Sequence, residues 1–164
     1  MHDSADFTAP PGRRLGALAL FRNVPGEVRL VEKAYKSGPG RWSLPGGCAK
    51  EGEPAPVACQ REMEEETGLC VVPGRTLLIH HMPAENDSKE GVNVVFDCGM
   101  WPEDHPVALG PELTSYRRTA PQALPRLVAP YTQWRIAAAL HILNSEAPQA
   151  PGVPYLVGHA PTAT

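Results

Sequence analysis

Between Gly47 and Gly68 the chain gathers Glu53, Glu62, Glu64, Glu65 and Glu66 around a single Arg61. No other stretch constrains the fold as tightly. Pro54 suits the first helical position and Gly68 the left-handed residue that closes a helix, so the spacing predicts a helix over about 54–67. Glu62 and Glu66 then stand one turn apart, where like charges repel. Something cationic has to offset that repulsion. A helix advances roughly 100° per residue, which places Glu62, Glu65 and Glu66 within about one 100° sector. Ala55, Cys59 and Met63 form the neighbouring apolar stripe, expected to pack on a sheet, and Glu64 points away from both. Three carboxylates on one edge of a packed helix are the hard oxygen ligands that Mg²⁺ and Mn²⁺ prefer. Mg²⁺ takes few protein carboxylates and lets substrate phosphates complete its octahedron. Gly46-Gly47 lets backbone approach a ligand without a Cβ in the way. Arg61 can hold a carboxylate in a bidentate fork.

The rest of the chain reads as strands with one further helix. Residues 1–13, with Pro10-Pro11-Gly12, suggest a flexible N-terminal arm. Leu15 to Phe21 reads as a buried strand and Glu27 to Tyr35 as its hairpin partner across Asn23-Val24-Pro25-Gly26. Arg41 to Leu44, Arg75 to Met82, Val92 to Phe96 or beyond, and Leu113 to Arg118 are further strand candidates. Val128 to Leu143 has the composition of a helix. Residues 144–164 form a Pro/Ala-rich tail in which no regular structure is expected. Strands interrupted by one helix and closed by another imply one α/β domain over 14–143, with a mixed sheet between helices.

The bulk numbers exclude several classes. At 164 residues the chain suffices for one domain with its own core. A net charge of −3 gives no bulk field for nucleic acid or an anionic membrane, so an anionic substrate needs a local device. The four cysteines include no C-x-x-C, which argues against zinc or a redox motif and suits a reducing, cytoplasmic setting. No apolar run approaches the ~20 residues of a membrane span.

Gly47 to Leu69 matches the Nudix box, G-x5-E-x7-R-E-U-x-E-E-x-G-U with U apolar, at every specified position. Met63 and Leu69 fill the apolar slots, and Trp42-Ser43-Leu44-Pro45-Gly46-Gly47 is similar to the usual lead-in. The chain therefore resembles the Nudix hydrolase family. That resemblance implies the Nudix fold, an α/β/α sandwich with a mixed β-sheet. It also implies Mg²⁺- or Mn²⁺-dependent hydrolysis of a small-molecule substrate, a nucleoside diphosphate linked to another moiety. By box position Glu62, Glu65 and Glu66 correspond to metal ligands, with the Gly46 carbonyl a fourth, while Arg61 and Glu53 orient them. The general base of the family often lies on a later loop. Glu112 is the candidate here, Glu85 and Glu90 are the runners-up, and Glu62 or Glu66 could also take the proton.

Resemblance leaves the group beyond the phosphates open, as a nucleotide sugar, an ADP-ribose-like compound or a nucleoside triphosphate. Pro83 lies where ADP-ribose-type members tend to carry a proline, and Asn93 offers an amide of the kind that reads a base. A catalytically silent Nudix domain that senses a nucleotide metabolite is the alternative function, and isoprenoid isomerisation a more distant third. Homodimers are common among the proteins this chain resembles. His80 and His81, adjacent in a strand, should face opposite ways and not share an ion. Trp42 and Trp134 read first as packing residues, Arg41, Lys36 and Tyr35 as neighbours of the cleft mouth. Trp101 suits either a specificity pocket or a dimer contact.

Overall fold

The computed structural model describes residues 7–23, 26–145 and 152–159. Residues 1–6 of the expected arm, Val24-Pro25 of the first turn, and 146–151 and 160–164 of the tail lie outside the described residues. The described strands are β1 (Arg14–Arg22), β2 (Val28–Lys33), β3 (Trp42–Ser43), β4 (Gly46–Cys48), β5 (Thr76–Met82), β6 (Gly91–Met100), β7 (Leu113–Thr119) and β8 (Tyr155–Val157). The helices are α1 (Ala55–Thr67) and α2 (Pro130–Asn144), with a 3₁₀ turn at Pro121–Arg126 before α2.

β1 explains the layering. Its run Leu15 to Phe21 is almost continuously apolar because both faces of the strand are covered. Ala17, Ala19 and Phe21 pack with Ala58, Cys59 and Met63 of α1, together with Phe96 and Trp101. Leu20, between them, points to the opposite layer, where Leu30, Leu77, Leu78 and Val95 meet Ile136, Ala139 and Ile142 of α2. One strand thus glues two helical layers to one sheet, as its period of two dictates.

The sheet runs β3-β2-β1-β6-β5-β8, with β4 added to β1 and β7 to β2. It is mixed: β1 pairs with β6 and β5 with β8 in parallel, and the other pairs are antiparallel. The expected α/β/α sandwich is what forms.

Three differences are informative. Gly46–Cys48, not among the expected strands, pairs as a strand with Gly16 to Leu18. Gly46 has φ 126°, and a Cβ there would collide with the Ala17 carbonyl, so only glycine lets the loop close on β1. α2 begins two residues after the expected Val128, because Pro130 presets the first turn. The expectation of an unstructured tail fails at Tyr155–Val157, which extends the sheet by pairing with Ile79 to His81. The exposed edge of β5 offers unpaired backbone groups, and the tail satisfies them. The four cysteines are free thiols. No helix among the described residues is long and apolar enough to cross a membrane.

Candidate active site

α1 ends where expected. Gly68 adopts φ 73° and its N–H donates to the Glu64 carbonyl at 2.9 Å. Beyond it, residues 108–112 fold back on the helix end, with the Ala108 N–H on the Thr67 carbonyl (3.0 Å) and the Gly110 N–H on the Glu66 carbonyl (2.9 Å). A Cβ on Gly110 would lie 2.5 Å from the Glu65 carbonyl, so this close return requires glycine. The fold-back carries Glu112 to the carboxylates of the helix. Glu62, Glu65, Glu66 and Glu112 line one cavity of about 480 Å³ with Gly46, Gly47 and Lys33.

Arg61 organises the outer half of this cavity. Its Nε and Nη2 grip both oxygens of Glu53, at 2.8 and 2.9 Å. Nη1 reaches Glu62 at 2.8 Å and Glu65 at 3.0 Å, and Nη2 also reaches the Cys48 carbonyl at 3.1 Å. All five N–H groups of the guanidinium are thereby engaged. Glu53 accepts as well from the Lys50 N–H at 2.8 Å. The hydrogen bonds from Arg61, then the one from Lys50, hold the Glu53 carboxyl down at about 2. Glu53 in turn drives Arg61 well above its ordinary range. One guanidinium thus contacts Glu62 and Glu65, and Glu53 holds that guanidinium by both oxygens.

The inner half is organised by Lys33, which the sequence reading overlooked. Lys33 is buried, and its Nζ pairs with Glu66 Oε1 and lies 3.3 Å from the Gly46 carbonyl. The other oxygen of Glu66 accepts the Gly46 N–H at 2.9 Å. Burial pushes the Glu66 carboxyl above its usual range, against the pull of Lys33. The alternation of β2 carried the signal: Arg29, Val31 and Lys33 face opposite to Val28 and Leu30, into the sheet's α1 side. The ladder to β7 shifts register between Glu32 and Lys33, an irregularity of the kind that re-aims a side chain.

The donor set suits a hard divalent cation, since every candidate ligand is oxygen. Gly47 supports the fit, because a Cβ there would sit 2.5 Å from the Glu62 carboxyl carbon and fill the cradle. Yet among the described residues no three His, Cys, Asp or Glu side chains are gathered as a ready ligand cluster. The expected convergence of Glu62, Glu65 and Glu66 holds for the cavity they share and stops there. The reason is their partners, Arg61 for Glu62 and Glu65, and Lys33 for Glu66.

Other expectations sort themselves by place. Glu85 lines a second cavity, of about 790 Å³, and Glu90 lines neither, being paired with Arg13 at 2.6 Å and near His81 at 3.6 Å. Tyr35 and Lys36 line the larger cavity, whereas Arg41 turns away to Glu32 at 2.8 Å. His80 is buried edge-on against Trp134 and His81 is partly exposed, so the pair faces opposite ways. Trp42 packs beside the α2-side core under Arg117. Trp101 is 3% exposed between Phe21 and Tyr116 and belongs to the core, not to a pocket or a free surface.

The geometry agrees with what this chain is similar to. Over 67 residues it is 37% identical to the 8-oxo-dGDP phosphatase NUDT18 of Mus musculus, covering 41% of this chain and 21% of that protein. The match thus spans about a fifth of that curated relative's length. Its fold is similar to the MutT protein of Methanosarcina mazei Go1 (TM-score 0.69, 25% identity, 84% of this chain and 100% of that one). It is also similar to an ADP-ribose pyrophosphatase of Streptococcus suis 89-1591 (TM-score 0.62, 19% identity, 88% and 99%), a likeness of fold. The NUDIX domain profile matches residues 12–140, which is most of the chain, and the protein belongs to the NUDIX family.

Proposed function

We propose that the protein hydrolyses the diphosphate linkage of a nucleoside diphosphate joined to another moiety, with Mg²⁺ or Mn²⁺ as its cofactor. One observation carries this reading: Glu62, Glu65, Glu66 and Glu112 line a single cavity that shares its glycine-rich wall with a second, larger one. Lys33, Tyr35, Gly46, Gly47 and Cys48 border both cavities. A diphosphate in the smaller space can therefore extend its remaining moiety into the larger.

Glu62, Glu65, Glu66 and the Gly46 carbonyl would hold the cation, which when bound supplies neutralisation of phosphate oxygens and an acidified water. The chain's own residues do the rest. Arg61, fixed by Glu53, keeps Glu62 and Glu65 aimed at the cavity. Gly46 and Gly47 let phosphate oxygens approach the backbone closely. Lys33 adds a buried positive charge where the substrate's negative charge enters. Glu112 is exposed at the cavity lip and has no cation partner among the described residues. It is free to accept a proton from the attacking water, as a general base must be.

The test is release of nucleoside monophosphate, resolved by chromatography, from a panel of nucleoside di- and triphosphates, nucleotide sugars and ADP-ribose, with Mg²⁺ and with EDTA. Wild type is expected to turn over at least one member with Mg²⁺ and none with EDTA. Glu66→Gln should lower kcat by roughly 10³-fold while the protein stays folded. Glu112→Gln should lower kcat by about 10²-fold and leave KM near its original value. Near-normal turnover by Glu66→Gln defeats the metal assignment. Nucleotide binding without turnover across the panel makes the domain a sensor instead.

A further inference from the structure

The larger cavity contains an unexplained charge. Arg135, on α2, is only 6% exposed yet lines that cavity. Its Nε donates to His80 Nδ1 at 3.2 Å, and His80 Nε2 donates to the Gly158 carbonyl at 2.8 Å. The tail strand therefore fixes the imidazole, and the imidazole fixes the guanidinium. The two Nη groups, with four N–H donors between them, have no protein acceptor among the described residues. Arg135 forms no ion pair with a carboxylate among the described residues; its charged or titratable neighbours are Tyr131, whose ring lies 5.7 Å away, Arg14, Lys36 and His80. Burial, more than any neighbour, holds its guanidinium down to about 10.

Two more cations share the cavity without a carboxylate partner among the described residues, Arg14 and Lys36. Burial and the charges of Lys33, Arg135 and Arg14 together push Lys36 below the usual lysine range, a sign that positive groups converge here. Glu85 and Asp87 also line the cavity, but both are exposed on the loop after Pro83. A second buried polar group points the same way. Asn93 is 8% exposed, lines the cavity, and has no protein partner for its amide among the described residues. Gly16 makes room for it, since a Cβ there would collide with Asn93 Oδ1. A buried cation without a counter-charge is costly, and an anionic ligand would offset that cost. Two parallel N–H pairs at the end of a guanidinium match the oxygens of a phosphoryl group.

We propose that this cavity is a subsite for a phosphoryl group of the substrate other than the two joined by the scissile linkage, read end-on by the Nη atoms of Arg135. Lys36 and Arg14 supply the surrounding field, and Asn93 supplies an amide to the same ligand. The position of the subsite rests on the reading of the smaller cavity as the diphosphate site. Such a phosphoryl group has two sources: the next phosphate of a nucleoside triphosphate, or a phosphate carried on the sugar.

The experiment measures equilibrium binding by calorimetry, in EDTA so that no turnover intervenes, using the full chain. The probes are ADP, ATP and adenosine 3′-phosphate 5′-diphosphate. One of the last two should bind wild type about tenfold more tightly than ADP. A gain with ATP identifies a chain phosphate, and a gain with the 3′-phosphate probe identifies a sugar phosphate. Arg135→Gln should bring the ratio of the two dissociation constants close to one, and Arg135→Lys should restore part of it. No gain from either added phosphate overturns the proposal. So does a gain that survives Arg135→Gln, including the case in which all probes weaken equally. If Arg135→Gln does not fold, Lys36→Gln decides: a reduced gain supports the subsite, and an unchanged gain overturns it. Turnover of no nucleotide with Mg²⁺, combined with an Arg135-dependent gain, would defeat the hydrolase reading and leave the subsite standing.

Discussion

The two cavities share a wall and differ in how their charges are settled. In the smaller one every box carboxylate facing the space has a cation: Arg61 holds Glu62 and Glu65, and Lys33 holds Glu66. In the larger one Arg14, Lys36 and Arg135 line the space and none forms an ion pair with a carboxylate among the described residues. In the first, Glu62, Glu65 and Glu66 are paired within the protein and can exchange their cations for others, while Glu112 at the lip is unpaired among the described residues. The second is unsatisfied in the protein alone. Paired charge marks a place where chemistry is held ready, and unpaired buried charge marks a place that waits for a ligand of opposite sign.

The largest effect that can break this comparison is on stability. Lys33→Met removes one partner of a buried pair and leaves Glu66 in a site that already penalises its charge. Breaking such a pair costs about 3 kcal/mol or more. Arg135→Met deletes a buried charge that has no counter-charge and loses a hydrogen bond to His80, two effects that oppose each other. Its net change should stay within about 1 kcal/mol. Urea denaturation of both variants at pH 7 makes the test. Equal losses would mean that Arg135 is as well compensated as Lys33.

The same contrast explains what the sequence revealed. The box was legible because its residues are close in the chain and its chemistry is written as spacing: Gly47, Glu53, Arg61, Glu62, Glu65, Glu66, Gly68. That Arg61 could grip a carboxylate in a fork was legible, though not that the carboxylate is Glu53, and the central strand followed from an apolar run. Lys33 was missed because its partner Glu66 is 33 residues away and only strand register brings them together. Arg135 and His80 are 55 residues apart, and the Gly158 carbonyl that orders His80 is 78 residues from it. The tail strand was missed because Tyr155–Val157 has little pattern of its own and is recruited by the free edge of β5. Local periodicity could not show any of these. A lysine on the inward register of β2, and an arginine on the buried face of α2 beside Thr132 and Ile136, were the available signals.

A smaller effect sharpens the paired side. Arg61→Lys keeps the charge and loses the planar fork that reaches two carboxylates and a carbonyl beyond Glu53. Loss of an orienting partner of this kind costs about 10- to 100-fold in activity. The expected result is that much loss in kcat/KM with Mg²⁺ saturating, accompanied by a higher Mg²⁺ requirement. If a lysine performs as well, simple charge neutralisation is enough and the fork does no aiming.

The smallest effect concerns the unpaired side and appears as pH dependence. Burial lowers the His80 pKa below its ordinary 6.5, and the charges of Arg135, His159 and His81 lower it further, against the hydrogen bond to Gly158. Its folded-state pKa is depressed, so the unfolded chain binds the proton more readily. The neutral ring's contribution to stability is therefore present above pH 6.5 and is lost as pH falls from there toward the folded value. Protonation at Nδ1 would also end its acceptance of the Arg135 N–H and set two cations side by side. One titrating group can supply at most about 1.4 kcal/mol per pH unit, and His80 should contribute a fraction of it. Comparing denaturation of wild type and His80→Gln from pH 7.5 to 5 isolates this share. The wild-type curve should fall more steeply below pH 6.5, and filling the larger cavity with a phosphate-bearing ligand should flatten it. Parallel curves would show that the corner around Arg135 tolerates a second positive charge, and the contrast between the cavities would then rest on Arg135 alone.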